Sequence, residues 1–344
     1  MSAYKVVTFD GDTQALSELV YRSWLHDIQK TKYMFRYTKE WLDWLLNAPS
    51  ADRELQVEVR HKGERVAFFC CLPTTVMYRK REVRAGLATL ITVAPEHRGM
   101  KLAWKMSFEL KRRLKKRGYD MFYAFINAGR SSYQMAQKYI GRGSKLVELI
   151  RADSMVRVLD PEVVQRANRT RWYENLYMKL TTNIPPGEAR PAEVEDLEEI
   201  YALLQRYSKN VELAKVWTME DMRWYLDSEH SKVFVHEDRK GIDAMLCYSL
   251  GSIITRYDEM KTAMMTAAYL PFHRRTAKNL INYGMTDARK NGCAIMTYVD
   301  FGYLPRSLLR TSGFVSQGSC FSMFAQSFDG AEIEPIGSAY LEVR

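Results

Sequence analysis

The sequence predicts an α/β protein made of two tandem copies of one fold. The chain has 344 residues, of which 47% are hydrophobic, which is enough for two domains with separate cores. A strong breaker, Ile-Pro-Pro-Gly, occupies residues 184–187, and the order of predicted elements starts again after it. We therefore expect a first domain over 1–150, a connector over 151–190 and a second domain over 191–344.

The elements of the first half follow from apolar spacing and turn residues. Helical spacing predicts helices over 16–29, 37–46, 102–116 and 131–139, the third with apolar residues four apart. Alternating or continuous apolar runs predict strands over 55–60, 65–72, 90–93, 121–126 and 146–149. Lys62 and Gly63 form the hairpin turn between the first two strands.

The second half repeats this order. Helices are predicted over 193–207, 218–226, 275–291 and 304–311, and strands over 232–236, 245–254, 262–270, 294–299 and 321–325. Thr218 and Asp221 form a capping-box-like pair at the start of the second of these helices. The repeated order indicates two copies of one fold.

Composition excludes several classes of protein. There is no run of 18 apolar residues and no basic-then-apolar start, so we expect a cytoplasmic protein without a membrane span. No Cys/His cluster, Walker loop or Rossmann fingerprint is present, and no metal, nucleoside triphosphate or nicotinamide is expected. Five cysteines are too few and too irregular for a disulfide framework, and we expect buried thiols at Cys70, Cys71, Cys247, Cys293 and Cys320.

The net charge of +10 is concentrated in one segment, 98–117, which holds nine basic residues and one acid, Glu109. Residues 111–117 are interpreted either as a solvated helix face or as a field that attracts an anionic donor, an acidic carrier protein or a membrane surface. No nucleic-acid partner is expected, because no nucleic-acid module is visible. Arg98 and Lys101 precede the helix itself, and there we expect phosphate contacts.

The most informative segment is the loop that opens the basic helix. The strand over 90–93 stops before Pro95, and Arg98-Gly99-Met100-Lys101-Leu102-Ala103 leads into the helix. Such a loop directs successive backbone N–H groups at a phosphate. The pattern V-x-P-x-x-R-G-x-x-L-A resembles the pyrophosphate loop of the GNAT superfamily, whose members transfer acyl groups from coenzyme A to amines. The resemblance implies two GNAT-like domains with mixed, largely antiparallel sheets and helices on both faces.

One acyl-CoA site is expected, in the N-terminal half. The equivalent loop of the second copy, 270–276, has no glycine that would allow close backbone approach. Acceptor contacts are expected partly from the second half.

Several stretches resemble N-myristoyltransferases, which are also tandem GNAT proteins, in collinear order from about residue 33 to 328. Lys101 stands where ordinary GNAT enzymes carry glycine and this family carries a basic residue. Thr89 stands where the family carries asparagine near the acceptor amine. The other similar stretches are 33–37, 41–46, 57–60, 67–69, 267–269, 299–300 and 311–314.

This resemblance implies an N-acyltransferase that moves a fatty acyl group from an acyl-CoA thioester to a peptide or protein amine. The backbone N–H groups of Leu90 and Ile91 would be the oxyanion donors. The terminal carboxylate of Arg344 would be the general base. Asp300 would hold the acceptor ammonium or act as base, with a helix N-cap or a turn residue as its alternative.

The remaining implied contacts divide between donor and acceptor. Coenzyme A would be bound by Thr92, Val93, Arg98, Gly99, Met100, Lys101, Leu102, Ala103 and Asn127, and the acceptor side by Thr89, Tyr133 and Tyr269. The acyl donor could be a thioester of an acyl carrier protein instead of coenzyme A. Two other functions stay open: a small-molecule acetyl or aminoacyl transferase on the same tandem fold, and a non-catalytic acyl-CoA-binding module.

Overall fold

The computed structural model describes residues 4–31, 33–128, 130–141, 144–208, 211–270, 274–328 and 330–342. The helices are α1 (Thr13–Leu25), α2 (Ile28–Thr31), α3 (Lys39–Leu46), α4 (Leu102–Lys116), α5 (Ser131–Ile140), α6 (Pro161–Asn168), α7 (Trp172–Thr181), α8 (Leu197–Ser208), α9 (Met219–Leu226), α10 (Arg274–Lys290) and α11 (Arg306–Thr311).

The strands are β1 (Lys5–Thr8), β2 (Tyr33–Phe35), β3 (Gln56–His61), β4 (Glu64–Tyr78), β5 (Arg81–Val93), β6 (Met121–Asn127), β7 (Val147–Val158), β8 (Arg190–Pro191), β9 (Leu213–Lys215), β10 (Ser231–Asp238), β11 (Gly241–Thr255), β12 (Glu259–Tyr269), β13 (Ile295–Asp300), β14 (Val315–Ser327) and β15 (Ala339–Tyr340). The predicted α/β fold class, with mixed and largely antiparallel sheets, is confirmed.

The chain forms two compact units. The first comprises the described residues of 1–76, 81–149 and 322–335, and the second those of 77–80, 150–321 and 336–344. The domain limits expected from the sequence, at 150 and 190, stay predictions.

In the first unit the strands follow the order β1-β3-β4-β5-β6. The β1–β3 and β3–β4 pairs are antiparallel, and the β5–β6 pair is parallel, with α4 as the crossover. Lys62 and Gly63 both have positive φ, +53° and +88°, as a two-residue hairpin turn requires. The apolar stripe of α4, spaced four residues apart as predicted, packs with buried residues of β3 and β4 such as Val57, Val59 and Ala67.

The second unit repeats this arrangement. Its strands follow the order β8-β10-β11-β12-β13-β7, with antiparallel β10–β11 and β11–β12 pairs and a parallel β12–β13 pair connected through α10. Leu280, Ile281 and Met285 of α10 are buried in the core of this unit. The repetition of hairpin strands followed by a crossover helix confirms the two copies that the sequence predicts.

The region predicted as a connector is largely regular structure. Strand β7 extends to Val158, well beyond the predicted 146–149, and pairs antiparallel with β13 in the second unit. Helices α6 and α7 follow it. Conversely, the part of β14 from Ser322 onward belongs to the first unit, where β14 neighbours β6. Both β7 and β14 are therefore divided between the two units, which the sequence does not indicate because hydrophobic alternation identifies a strand without specifying its partner.

The cysteines Cys70, Cys71, Cys247 and Cys293 are buried thiols, as expected, and burial raises the pKa of Cys71 to about 12. The side chain of Cys320 lies outside the described residues. In the described part of the chain, no helix has both the length and the apolar character needed to cross a bilayer.

Candidate functional site

The candidate site lies in the first unit, where β5 and β6 part. The parallel register between these strands runs from Ala85 opposite Met121 to Leu87 opposite Tyr123. Both strands continue, β5 to Val93 and β6 to Asn127, with no further β5–β6 register among the described residues. The parted ends leave backbone groups of β5 available for a ligand.

Leu90, just beyond this point, has an unusual backbone conformation. Its φ is +58° although it lies inside a strand, carries a bulky side chain and is only 3% exposed. The left-handed region costs an L-residue about 1–2 kcal/mol, so the surrounding structure must hold it. Such a residue interrupts the regular alternation of peptide groups along the strand, as a β-bulge does.

Thr92 and Trp24 stabilise the left-handed conformation of Leu90 through two hydrogen bonds. The Thr92 hydroxyl donates to the carbonyl oxygen of Leu90 at 3.1 Å and accepts from the indole Nε1 of Trp24 at 3.1 Å. Thr92 is buried, and Trp24 lies in the last turn of α1. The conformation of β5 at Leu90 is therefore fixed from the end of α1 through one hydroxyl group.

The loop after β5 leads into α4, whose N-terminus has no side-chain cap among the described residues. Gly99 has φ +83°, and Lys101, the N-cap residue, is left-handed with φ 57° and ψ 25°. Among the described residues, none caps α4 with a side chain, and its first turn contains no acid. By contrast, Asp12 and Thr38 cap α1 and α3 through hydrogen bonds from backbone N–H groups. The exposed N–H groups and the helix dipole make the start of α4 suited to an anion.

Arg98 positions this loop. Its Nη1 donates to Asp27 Oδ1 at 2.9 Å, its Nη2 to the carbonyl oxygen of Ser23 at 2.9 Å, and its Nε to the carbonyl oxygen of Val93 at 3.4 Å. The guanidinium therefore ties the loop both to the last turn of α1 and to the segment that follows it, a role that the sequence does not indicate. The predicted phosphate contact of its side chain stays a prediction, and Lys101 is exposed at the loop.

Arg130, which was not predicted as a site residue, lies just after β6 as the N-cap of α5. Arg130 Nη2 donates to the carbonyl oxygen of Tyr33 at 2.8 Å, and its guanidinium lies 5.8 Å from the ring centroid of Trp24. Burial lowers the pKa of Arg130. Asn127, which the sequence assigns to coenzyme A, donates to the Tyr33 hydroxyl at 3.4 Å. The position of Arg130 directly before a predicted helix was the only signal in the sequence.

Two predicted acceptor residues of the first unit have packing contacts. The ring of Tyr133 meets Phe324 edge-on at 5.7 Å, and the carbonyl oxygen of Thr89 accepts a weak hydrogen bond from Cys70 Sγ at 3.6 Å. The aromatic side chains of Phe35, Tyr37 and Trp41 pack edge to face with one another.

Asp300 is a buried, firmly held carboxylate of the second unit. Its Oδ1 accepts from the Gly302 N–H at 2.9 Å, and its Oδ2 accepts from Arg306 Nε at 2.7 Å. The hydrogen bond from Arg306 to Asp300 raises the pKa of Arg306. The N-cap of α11 is Pro305, so Asp300 has the turn geometry and not the N-cap geometry that was its alternative.

The last described residues lie beside Asp300 in the second unit. The Ala339 N–H donates to the carbonyl oxygen of Phe301 at 3.0 Å, and β15 pairs in parallel with β9. The proposed base, Arg344, lies outside the described residues, as do residues 271–273 of the loop in the second copy. Tyr269 ends β12 opposite Met245.

The basic residues of α4 are largely engaged locally. Arg112 and Arg113 both donate to Glu109, whose pKa they lower to about 2, the bond from Arg112 being the larger cause. Arg117 pairs with Asp52 at 2.5 Å. A polar cleft of about 470 Å³ near the end of α4 is lined by these paired groups. The arginines of this face are therefore paired with acids, and whether the face also attracts an anionic partner stays a prediction.

No group of three or more His, Cys, Asp or Glu side chains within the described ranges is arranged to hold a metal ion.

The first unit has a GNAT fold. Three features define it: the parting of β5 and β6, the left-handed residue Leu90 beyond that point, and the uncapped helix α4 that follows. The second unit repeats its order of strands, so the molecule is a tandem GNAT-fold protein.

Comparison with known families agrees with this fold. The N-terminal domain of myristoyl-CoA:protein N-myristoyltransferase matches residues 3–133, and the C-terminal domain of the same family matches residues 162–301. Together the two matches cover well over half of the chain, which therefore belongs to the N-myristoyltransferase family.

Individual relatives are distant. A glycylpeptide N-tetradecanoyltransferase of Eremothecium gossypii is 27% identical over 257 residues, covering 71% of this chain and 54% of the relative. The Saccharomyces cerevisiae enzyme of that name is 22% identical over 297 residues, covering 79% and 57%. The chain spans about half the length of the curated relatives it matches. A crystal structure of Saccharomyces cerevisiae N-myristoyltransferase with bound myristoyl-CoA has a TM-score of 0.80 at 15% identity, covering 100% of this chain and 90% of that one.

Proposed function

We propose that this protein transfers a fatty acyl group from an acyl-CoA thioester to the amine of a peptide or protein. The observation that carries the proposal is the left-handed Leu90, buried where β5 and β6 part and twelve residues before the uncapped start of α4 at Leu102. A strained residue of this kind is maintained only where something depends on it. Membership of the N-myristoyltransferase family supports the same reaction.

The diphosphate of the donor would lie on the N-terminus of α4. Backbone N–H groups between Gly99 and Ala103 would donate to its oxygens, and the Lys101 ammonium would add a charge-assisted contact. Arg98 would act mainly by holding the loop against Asp27 and Ser23. The pantetheine arm would follow β5 past Val93 and Thr92, with Asn127 on the facing strand.

The thioester carbonyl would then lie at Leu90. The neutral acceptor amine attacks the carbonyl carbon, and the carbonyl oxygen becomes an oxyanion. The N–H groups of Leu90 and Ile91, turned from regular alternation by the positive φ, would donate to that oxygen. Collapse of the tetrahedral intermediate breaks the C–S bond and releases coenzyme A as a thiolate; the nitrogen gives up one proton to the general base as the amide forms, and the thiolate takes up one proton, so that the net products are the amide and the thiol.

A general base is needed because an ordinary amine is protonated at neutral pH. The candidate from the sequence, the α-carboxylate of Arg344, stays a prediction, because residues 343 and 344 lie outside the described residues. Asp300 of the second unit is the other candidate from the sequence, and its role stays a prediction; both of its oxygens accept hydrogen bonds, from Gly302 and Arg306. Extension of the chain by two glycines after Arg344 tests the assignment. A fall in turnover with unchanged donor affinity supports it, and unchanged turnover contradicts it.

Donor class is tested with acetyl-, octanoyl- and myristoyl-CoA and with an acylated carrier protein. Thermal stabilisation that rises with chain length, together with transfer to a glycine-terminated peptide, supports the proposal. Stabilisation by acetyl-CoA alone would favour the small-molecule transferase. Binding without transfer to glycine-terminated or lysine-containing peptides would favour the binding module, and the absence of any effect would overturn the proposal.

A further inference from the structure

Helix α7 exposes an apolar face that the proposed reaction does not use. Trp172 is 76% exposed, Leu180 74%, Leu176 51% and Tyr173 46%. At 3.6 residues per turn these four side chains fall within an arc of roughly 100° on one side of the helix. We call them the α7 face. Large apolar residues gathered on one side and exposed to water indicate an interaction surface.

The α7 face is not needed for packing of the helix. Met178 lies on the opposite side of α7 and is buried at 7% exposure. It shares a core with Val164 and Ala167 of α6 and with Met260 and Ile295. The helix is thus already anchored through one side, and its apolar residues on the other side are additional.

The surroundings of the α7 face contain exposed basic and aromatic side chains, together with two exposed acids, Glu174 of α7 and Asp258 next to Tyr257. Arg169, at the end of α6, lies over the ring of Tyr257 at 4.4 Å, and Tyr257 is itself 49% exposed. Arg171 and Lys179 flank the face on α7, and both are exposed. Long cationic side chains beside exposed aromatic and leucine side chains are typical of helices that lie in the interface of an anionic bilayer.

We propose that the α7 face docks on an anionic lipid surface. Trp172, Leu176 and Leu180 would enter the boundary between headgroups and acyl chains, and Arg169, Arg171 and Lys179 would contact phosphate and carboxylate groups of the lipids. The charge complementarity selects lipid over a neutral apolar partner. The inference is independent of the proposed acyl transfer, because it concerns where the protein resides and not what α4 binds.

Co-sedimentation of the whole chain with vesicles tests this proposal, without any thioester present. Vesicles of phosphatidylcholine alone are compared with vesicles containing about one-third phosphatidylserine. The expected result is binding to the anionic vesicles that falls about tenfold in Trp172→Ser/Leu180→Ser. Arg171→Gln/Lys179→Gln is expected to lower binding mainly at low salt, where the electrostatic attraction is strongest.

Val194→Ser is the matched control, since Val194 is 49% exposed in the same unit and lies on a different element. Unchanged far-UV circular dichroism verifies that the variants fold. Equal vesicle binding by the wild type and the Trp172/Leu180 variant would overturn the proposal, as would no binding by the wild type. Sedimentation velocity showing a dimer that these two substitutions dissolve, without vesicle binding, would assign the face to a second copy of the chain instead.

Discussion

Thr92 provides the sharpest test of how the site is held. Thr92→Val keeps the shape of the side chain and removes the hydroxyl that joins Trp24 Nε1 to the Leu90 carbonyl oxygen. Both bonds are 3.1 Å long and Thr92 is 2% exposed, so the substitution removes two hydrogen bonds at a buried position. The expected cost is about 1–3 kcal/mol of unfolding free energy.

The effect on acyl transfer is expected to be separate from the effect on stability. Without the hydrogen bond from the Thr92 hydroxyl, Leu90 can relax from a backbone conformation that costs about 1–2 kcal/mol. Because loss of one oxyanion donor lowers kcat about 10²–10³-fold, a displaced donor is expected to lower it roughly 10–100-fold. The KM for the donor is expected to change little, since the N-terminus of α4 is untouched.

The assay is steady-state transfer of myristoyl from its coenzyme A thioester to a glycine-terminated peptide, with urea denaturation in parallel. Thr92→Ser is the control, because it restores the hydroxyl and loses only a methyl group. A wild-type kcat in Thr92→Val despite a loss of stability would refute this prediction. A kcat of Thr92→Ser as low as that of Thr92→Val would refute it too.

Three further predictions concern other parts of the chain. Lys101→Gly is expected to raise the unfolding free energy by up to about 1 kcal/mol, because glycine tolerates the left-handed conformation, and to weaken acyl-CoA binding most at low salt; tighter binding in a titration would contradict this. Glu109→Gln is expected to lower the unfolding free energy by about 1 kcal/mol at pH 7. The pKa of Glu109 is lowered from 4.5 to about 2 in the folded protein, so its charge stabilises the fold at pH values above 4.5, and the difference from wild type should vanish as the pH falls toward 2. A difference in denaturation that does not depend on pH would argue against this prediction. Lys215→Met is expected to cost about 3–5 kcal/mol, because Lys215 Nζ lies 2.7 Å from the buried Glu342; a loss below about 1 kcal/mol in urea would contradict the pairing.

Much of the fold was predictable because it is encoded locally. The stripe of α4 repeats every four residues, and the positive φ values at Lys62 and Gly63 belong to a turn type that the residues themselves favour. The division of β7 and β14 between the two units was not predictable, since the choice of a neighbouring strand depends on long-range packing.

The site was only partly predictable for a related reason. The loop pattern identifies the start of α4, but no local rule places Leu90 in the left-handed region, because the contacts described for it include the Thr92 hydroxyl and, through that hydroxyl, the distant indole of Trp24. Arg98 illustrates the same limit. Its position indicates a phosphate ligand, whereas its actual partners include Asp27, which is distant in the sequence.

Hydrogen exchange of the backbone amides, with and without a non-hydrolysable thioether analogue of myristoyl-CoA, tests the central claim most directly. We expect bound analogue to slow exchange in the peptides that cover Leu90, Ile91 and residues 99–103. Peptides from the charge-paired end of α4, around Arg112 and Arg117, should be unchanged. Saturating binding that leaves the first group unprotected, or that protects the end of α4 instead, would contradict the account.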